Sequence, residues 1–156
     1  MHLLTRGNVT IDVKETPDWL EFTRRHLLPL CPLEAVEQKE TNTYLRYFHA
    51  EILAFHPVNE SGEGGDDRYG AELKRRGRLR GISDWVILEP RGGHPYALIE
   101  LKRNNKRKSR INPEQKDILI QAKKLGAWTA VAWGCDAFEA ALEMYLALPV
   151  ANIMKS

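Results

Sequence analysis

The stretch GISDWVILEPRGGHPYALIELK, residues 81–102, decides how this chain folds. Asp84 to Leu88 is rich in β-formers, ProArgGlyGlyHisPro at 90–95 is a turn, and Tyr96 to Lys102 is a second β-rich run. The stretch therefore reads as a hairpin. With the turn centred on Gly92, Asp84 lies directly across from Glu100, Cβ atoms roughly 4.5–5.5 Å apart. Period-two alternation puts Lys102 on the same face as Glu100. Two carboxylates and an ammonium converge where a core strand should be apolar. The carboxylates repel unless something positive lies between them, and a hard divalent cation such as Mg²⁺, which takes oxygen ligands and keeps several waters, meets that need. A cation so held acidifies its water and offsets charge building on a phosphate. Lys102 is a compact charge suited to the same task. Glu100 and Lys102 taken alone also fit an exposed strand end.

Downstream, Asn112, Pro113 and Gln115 supply an N-cap, an N1 proline and a capping-box partner for a helix carrying Ile118, Leu119, Ala122 and Leu125, closed by Gly126. Trp128 to Trp133 reads as a buried strand. Asp136 with Glu139 predicts a second capping box, for a helix with Phe138, Ala141, Leu142 and Tyr145 inward. Trp85, Trp128 and Trp133 read as core.

Upstream, residues 33–150 hold the main body, and residues 1–32 read as a small strand-helix extension. In the extension, Val9 to Val13 alternates like a strand. Thr16 and Pro17 then announce a helix with Trp19, Phe22, His26 and Leu27 at helical spacing, ended by Pro29 and Pro32. From Leu33 to Phe48 a further helix is expected, with Val36, Tyr44, Leu45 and Phe48 as its apolar positions and Glu34, Glu37 and Glu40 on nearly one side. Ile52 to Val58 reads as a strand and 59–70 as a loop, whose acids do not match a calcium loop. The order helix, strand, strand, strand, helix, strand, helix implies an α/β fold, a mixed sheet flanked by helices.

A length of 156 residues, 43% hydrophobic and 28% charged, is one compact domain rather than a disordered chain. Cys31 and Cys135 offer neither a disulfide framework nor a zinc ribbon, which suits a reducing, cytoplasmic setting. No run is long enough for a signal peptide's apolar region or a membrane span. The formal net charge of +2 conceals clusters: five basic residues in 74–80, six in 102–110, and an acidic, Gly-rich segment at 60–67. Lys74, Arg75, Arg76, Arg78 and Arg80 precede Asp84, while Arg103, Lys106, Arg107, Lys108 and Arg110 follow Lys102. The clusters are read as phosphate contacts, with a plain solvated face as the blander alternative.

The spacing D-x15-E-x-K behind GlyIleSerAsp at 81–84 resembles the PD-(D/E)xK nuclease superfamily, specifically the stand-alone VRR-NUC domain of phages and bacteria. The similarity extends to Glu34, Glu37 and Gln38, to HisProValAsn at 56–59, to LeuLysArgArgGly at 73–77 and to AsnProGluGln at 112–115, covering about residues 33–148. It implies a restriction endonuclease-like core. It also implies that Asp84 and Glu100 are metal-binding acids, Lys102 the catalytic lysine, Gln115 a helix glutamine near the site and Glu37 a metal-binding first-helix acid. Glu34 and Glu40 lie one turn away as alternatives, Asn59 joins the candidate DNA contacts, and Ser83 stands where the name-giving proline would be. The implied activity is a Mg²⁺- or Mn²⁺-dependent DNA endonuclease leaving 5′-phosphate and 3′-hydroxyl ends. Some stand-alone members resemble Holliday-junction resolvases, which implies a homodimer acting on branched DNA in a bacterial or phage-infected cell. The rival reading is a nuclease-fold module that binds nucleic acid or a host protein without cutting.

Overall fold

Seven strands and four helices follow one another through the described residues, 2–57 and 67–150, of the computed structural model. They are β1 (His2–Arg6), β2 (Val9–Glu15), β3 (Leu20–Arg24), α1 (Glu34–Phe48), β4 (Ala54–Phe55), α2 (Asp67–Arg75), β5 (Trp85–Ile87), β6 (Ala97–Lys102), α3 (Pro113–Lys124), β7 (Trp128–Trp133) and α4 (Cys135–Leu146). All strands share one mixed sheet in the order β1-β2-β3-β7-β6-β5-β4. The β3–β7 and β7–β6 pairs are parallel and the other neighbours antiparallel. From α1 to α4 the order is the expected one with α2 added. Among the described residues no helix is long and apolar enough to cross a membrane.

Alternation along the central strands feeds two cores. Ala97, Ile99 and Leu101 of β6 join Trp128, Ala130 and Ala132 of β7 on the face covered by α1 and α4. Leu98 of β6 and Val131 and Trp133 of β7 face α3 with its Leu119 and Ala122. Both faces are covered, so every residue of β6 and β7 is buried. By the same alternation Glu100 and Lys102 fall on the α3 side, with Leu98, and so does Asp84 with Val86. Trp85, Trp128 and Trp133 are core residues, as expected.

Several expectations need correction. The helix expected after Thr16 is β3, and the N-terminal extension is a three-stranded meander within the main sheet rather than a strand and a helix. Thr16 does bond the residues ahead of it, but it closes a tight turn. Its hydroxyl donates to the Trp19 carbonyl (2.7 Å) and accepts from the Trp19 N–H (3.0 Å). The ladders to β2 and β7 then outweigh the helical spacing of Trp19 and Phe22. The strand expected over 52–58 shrinks to Ala54–Phe55, because Ile52 turns back onto the His49 carbonyl. Of the expected loop at 59–70, residues 67–70 are the first turn of α2, and the remainder, Asn59 included, lies outside the described residues. In α1, Val36 and Phe48 are exposed and Glu37 and Thr41 are buried instead.

The Asp136–Glu139 capping box does not form. Gly134, with φ +98°, occupies the N-cap of α4, and Glu37 of α1 accepts the Cys135 N–H at 2.8 Å. Asp136 and Glu139 pair with Arg24 and Arg6 of the N-terminal strands. At the hairpin, Trp85 faces Ile99 and Ile87 faces Ala97, the register expected from a turn at Gly92. The tip itself pairs Arg91 with His94 across two glycines of positive φ, so 88–90 holds one residue more than 95–96. Glu37 thus takes the place of a local cap. Glu37→Ala should lower the unfolding free energy by about 1–3 kcal/mol in a denaturant titration, by leaving a half-buried helix N–H unmet. An unchanged midpoint would show that the cap carries no stability.

Candidate active site

The site begins with a glycine. Gly81 has φ +78°, and a Cβ there would sit 2.5 Å from the Glu114 carbonyl carbon, so only glycine lets residues 81–84 lie against the first turn of α3. Ser83 is wholly buried with its hydroxyl unpartnered, so the position expected to carry proline makes no use of a polar group. Asp84 follows. Its Oδ2 accepts the Leu101 N–H at 2.9 Å, which locks the acid across the hairpin beside Glu100. His56 lies 2.6 Å from the Asp84 backbone carbonyl through Nδ1. A carbonyl only accepts, so Nδ1 carries the proton. The histidine clamps the backbone under Asp84, a role that the 56–59 motif did not reveal in the sequence.

Glu100 has no exposed surface. Its Oε1 receives the Lys102 ammonium at 2.9 Å and the Gln115 side-chain amide. Its Oε2 is buried with no hydrogen-bond partner. Gln115 is also the far side of the α3 capping box: its Oε1 accepts the Asn112 N–H at 3.0 Å, while its own N–H donates to Asn112 Oδ1 at 2.9 Å. One residue therefore closes the helix and holds the acid. Burial, and then the Asp84 carboxylate, push the Glu100 carboxyl up to about 8, with Lys102 opposing. Burial likewise raises Asp84, again against the pull of Lys102. For Lys102 burial works downward, but the Glu100, Glu34 and Asp84 carboxylates outweigh it and the ammonium is held above its ordinary range.

The first-helix acid nearest this group is Glu34. Its Oε2 stands 3.9 Å from Lys102 Nζ and accepts the Ser109 hydroxyl at 3.3 Å. Glu37, the acid favoured by the resemblance, is turned toward α4, where its Oε2 accepts the Cys135 N–H and its Oε1 is buried without a hydrogen-bond partner, while Glu40 is exposed. Burial raises both Glu34 and Glu37. The structure thus gathers Asp84, Glu100, Lys102, Gln115 and Glu34, and leaves Glu37 and Glu40 out.

The basic residues divide by partner. Arg75 and Arg76 share Glu72, and Lys106 pairs with Glu21 over the Trp133 ring. Arg103 is a structural clamp, donating to the Cys31 and Pro32 carbonyls at 2.8 Å each. Lys74, Arg80, Arg107, Lys108 and Arg110 are exposed and form no ion pair among the described residues, and Arg78 is half-buried. Arg80 adjoins Gly81, which touches α3, and Arg110 lies two residues before its N-cap Asn112. Both basic runs therefore end at the α3 N-terminus, next to Glu100.

The raised Glu100 carboxyl has a consequence for stability. Below about pH 4.5, its ordinary value, it is protonated in folded and unfolded chains alike and its stabilising contribution is complete. Between there and about 8 the unfolded chain ionises while the folded one must keep its proton, so stability is lost as pH rises. Glutamine mimics the protonated acid. In metal-free buffer the Tm of wild type should fall relative to Glu100→Gln from pH 5 to 9; parallel curves would mean that Glu100 titrates as an ordinary carboxylate.

No family model and no curated protein matches the chain. Among solved structures, one of a "VRR_NUC domain protein" matches with a TM-score of 0.61 and 23% sequence identity, covering 78% of this chain and 94% of that one. The sheet and its flanking helices are therefore a fold that this chain shares with a VRR_NUC domain protein.

Proposed function

We propose that this chain is a divalent-metal-dependent DNA endonuclease that hydrolyses phosphodiester bonds with water as nucleophile, using Mg²⁺ or Mn²⁺. The observation that carries the reading is the unpartnered Oε2 of the fully buried Glu100, beside Asp84. A buried carboxylate oxygen facing a second carboxylate is costly unless it keeps a proton or meets a cation. Among the described residues no three His, Cys, Asp or Glu side chains form a ready-made metal cluster. A two-acid site still fits Mg²⁺, which is commonly held by one or two carboxylates and completes its shell with water and substrate phosphate. Asp84 and Glu100 would hold the metal, and Glu34 stands nearest to serve as the helix acid in place of Glu37.

When bound, the metal supplies an acidified water and offsets charge on the phosphate. The chain's own groups do the rest. Gln115 holds Glu100 by one oxygen and leaves the other free, fixed by the α3 cap. Lys102 keeps its proton through the working pH range, since the surrounding carboxylates outweigh its burial. Its ammonium can therefore donate to a non-bridging phosphate oxygen as charge builds there. Lys74, Arg80, Arg107, Lys108 and Arg110 would grip the backbone on either side without reading sequence. A homodimer with one site per chain would cut both strands of a branched junction, in a bacterial or phage-infected cytoplasm.

The test is supercoiled plasmid with Mg²⁺, Mn²⁺ or EDTA. Wild type should nick in either metal and not in EDTA. Asp84→Asn and Glu100→Gln should be inactive yet folded, and Lys102→Ala should bind DNA while losing about 10²–10³ in rate. Cleavage in EDTA, or by Glu100→Gln, would remove this site from the chemistry; tight DNA binding without cleavage by wild type would favour the non-cutting module.

Salt dependence tests the binding surface separately. Five phosphate contacts give a slope of log K against log salt near −4.5 at about −0.9 per contact. Neutralising Lys108 and Arg110 together should reduce it by about 2, whereas neutralising Arg75 and Arg76, already shared with Glu72, should reduce it less. Equal slopes for wild type and Lys108/Arg110 variants would place the phosphate path elsewhere.

A further inference from the structure

Between β3 and α1 the chain makes a strap, residues 25–33, that carries apolar side chains outward. Leu30 is 80% exposed, Leu33 65% and Leu27 57%. Side chains that large are not left in water without cost, and here the backbone is pinned so that they stay there. Arg103 donates to the Cys31 and Pro32 carbonyls, and Asn104, itself buried, donates to the Leu30 carbonyl at 3.4 Å. Arg103 and Asn104 directly follow Lys102. Just beyond the strap, Glu34 bonds Ser109 and faces Lys102. The strap is thus fastened to the residues by which the chain leaves the site, and Leu33 adjoins Glu34, which bonds Ser109 in the basic loop of Arg107, Lys108 and Arg110.

The charge pattern selects the occupant. An apolar ridge joined to a loop of cations that form no ion pair among the described residues, next to a group suited to phosphodiesters, fits a ligand with apolar faces on an anionic backbone. Stacked duplex DNA hides those faces; an opened base step presents them. We propose that Leu30 and Leu33 are base-contacting residues, a wedge that packs against unstacked bases next to the scissile phosphate. This rests on the nuclease reading. The wedge raises affinity for DNA with an open step over continuous duplex through apolar contact rather than through added charge.

The experiment is binding in EDTA by the full chain, where nothing is cut, to a forked DNA and a linear duplex of equal length and salt, with 2-aminopurine at the fork step. Wild type should prefer the fork and brighten the 2-aminopurine. Leu30→Ser with Leu33→Ser should lose about tenfold of the fork affinity, about 1.4 kcal/mol, along with the brightening, and its salt slope should stay that of wild type. Both positions are exposed, and Leu33 is the N-cap of α1, where serine caps better than leucine, so a circular dichroism melt at or above that of wild type is expected and confirms folding. Equal wild-type affinity for fork and duplex, or an unaltered double variant, overturns the proposal. So does sedimentation showing a wild-type dimer that becomes monomeric in the variant, since the ridge would then belong to a second copy of this chain. Plasmid cleavage read in parallel reports the nuclease reading independently, because the wedge can fail while cleavage persists.

Discussion

A carboxyl group with none of its surface in water organises this protein. Glu100 sits in mid-sheet, where its β6 neighbours Ile99 and Leu101 are wholly apolar and buried. Leaving it there demands a donor on one side, an ammonium on another and an arrangement for the oxygen that has neither. Gln115 provides the donor only because α3 starts at the right place, and α3 starts there because Asn112, Pro113 and Gln115 cap it. Gly81 in turn lets the segment that leads through Asp84 into β5 touch that first helical turn. Sheet register, helix start and glycine are three conditions on one buried acid.

How much of this was legible in the sequence follows from which interactions are local. The α3 cap depends on residues within a few positions of one another, the hairpin register follows from its turn, and the apolar run of β7 marks it as buried whatever covers it. The α3 glutamine is legible as a cap from spacing and as a residue near the site from the resemblance, and the structure adds its bond to Glu100. What the local pattern misstates involves distant partners. Thr16 and Pro17 look like a helix start, but Leu20 to Thr23 find a ladder on β7 more than a hundred residues away. Asp136 and Glu139 look like a capping box, but arginines from β1 and β3 claim them.

The three glutamates of α1 show the same limit within a single helix. Their spacing says that they share a side, yet not which one points where. Glu34, at the helix start, reaches the end of β6, while Glu37, one turn on, meets the end of β7 and the α4 N-terminus. One turn along the helix axis separates a group beside the lysine from one that serves as another helix's cap. Only the placement of α1 across the sheet ends decides which turn lies beside the lysine.

The N-terminal meander carries one further implication. β7 is buried on both faces and along its whole length, and among the described residues β3 is the strand that pairs with it on the side away from β6. A version of the protein trimmed to begin at α1 would bare a row of unpaired N–H and C=O groups on an apolar strand, a ready template for strand addition from another molecule. Among the described residues the sheet ends instead at β1, whose side chains are mostly solvated and include His2 and Arg6. Those first strands therefore behave as a solubility device: they move the sheet's boundary from a sticky strand to one that water can wet.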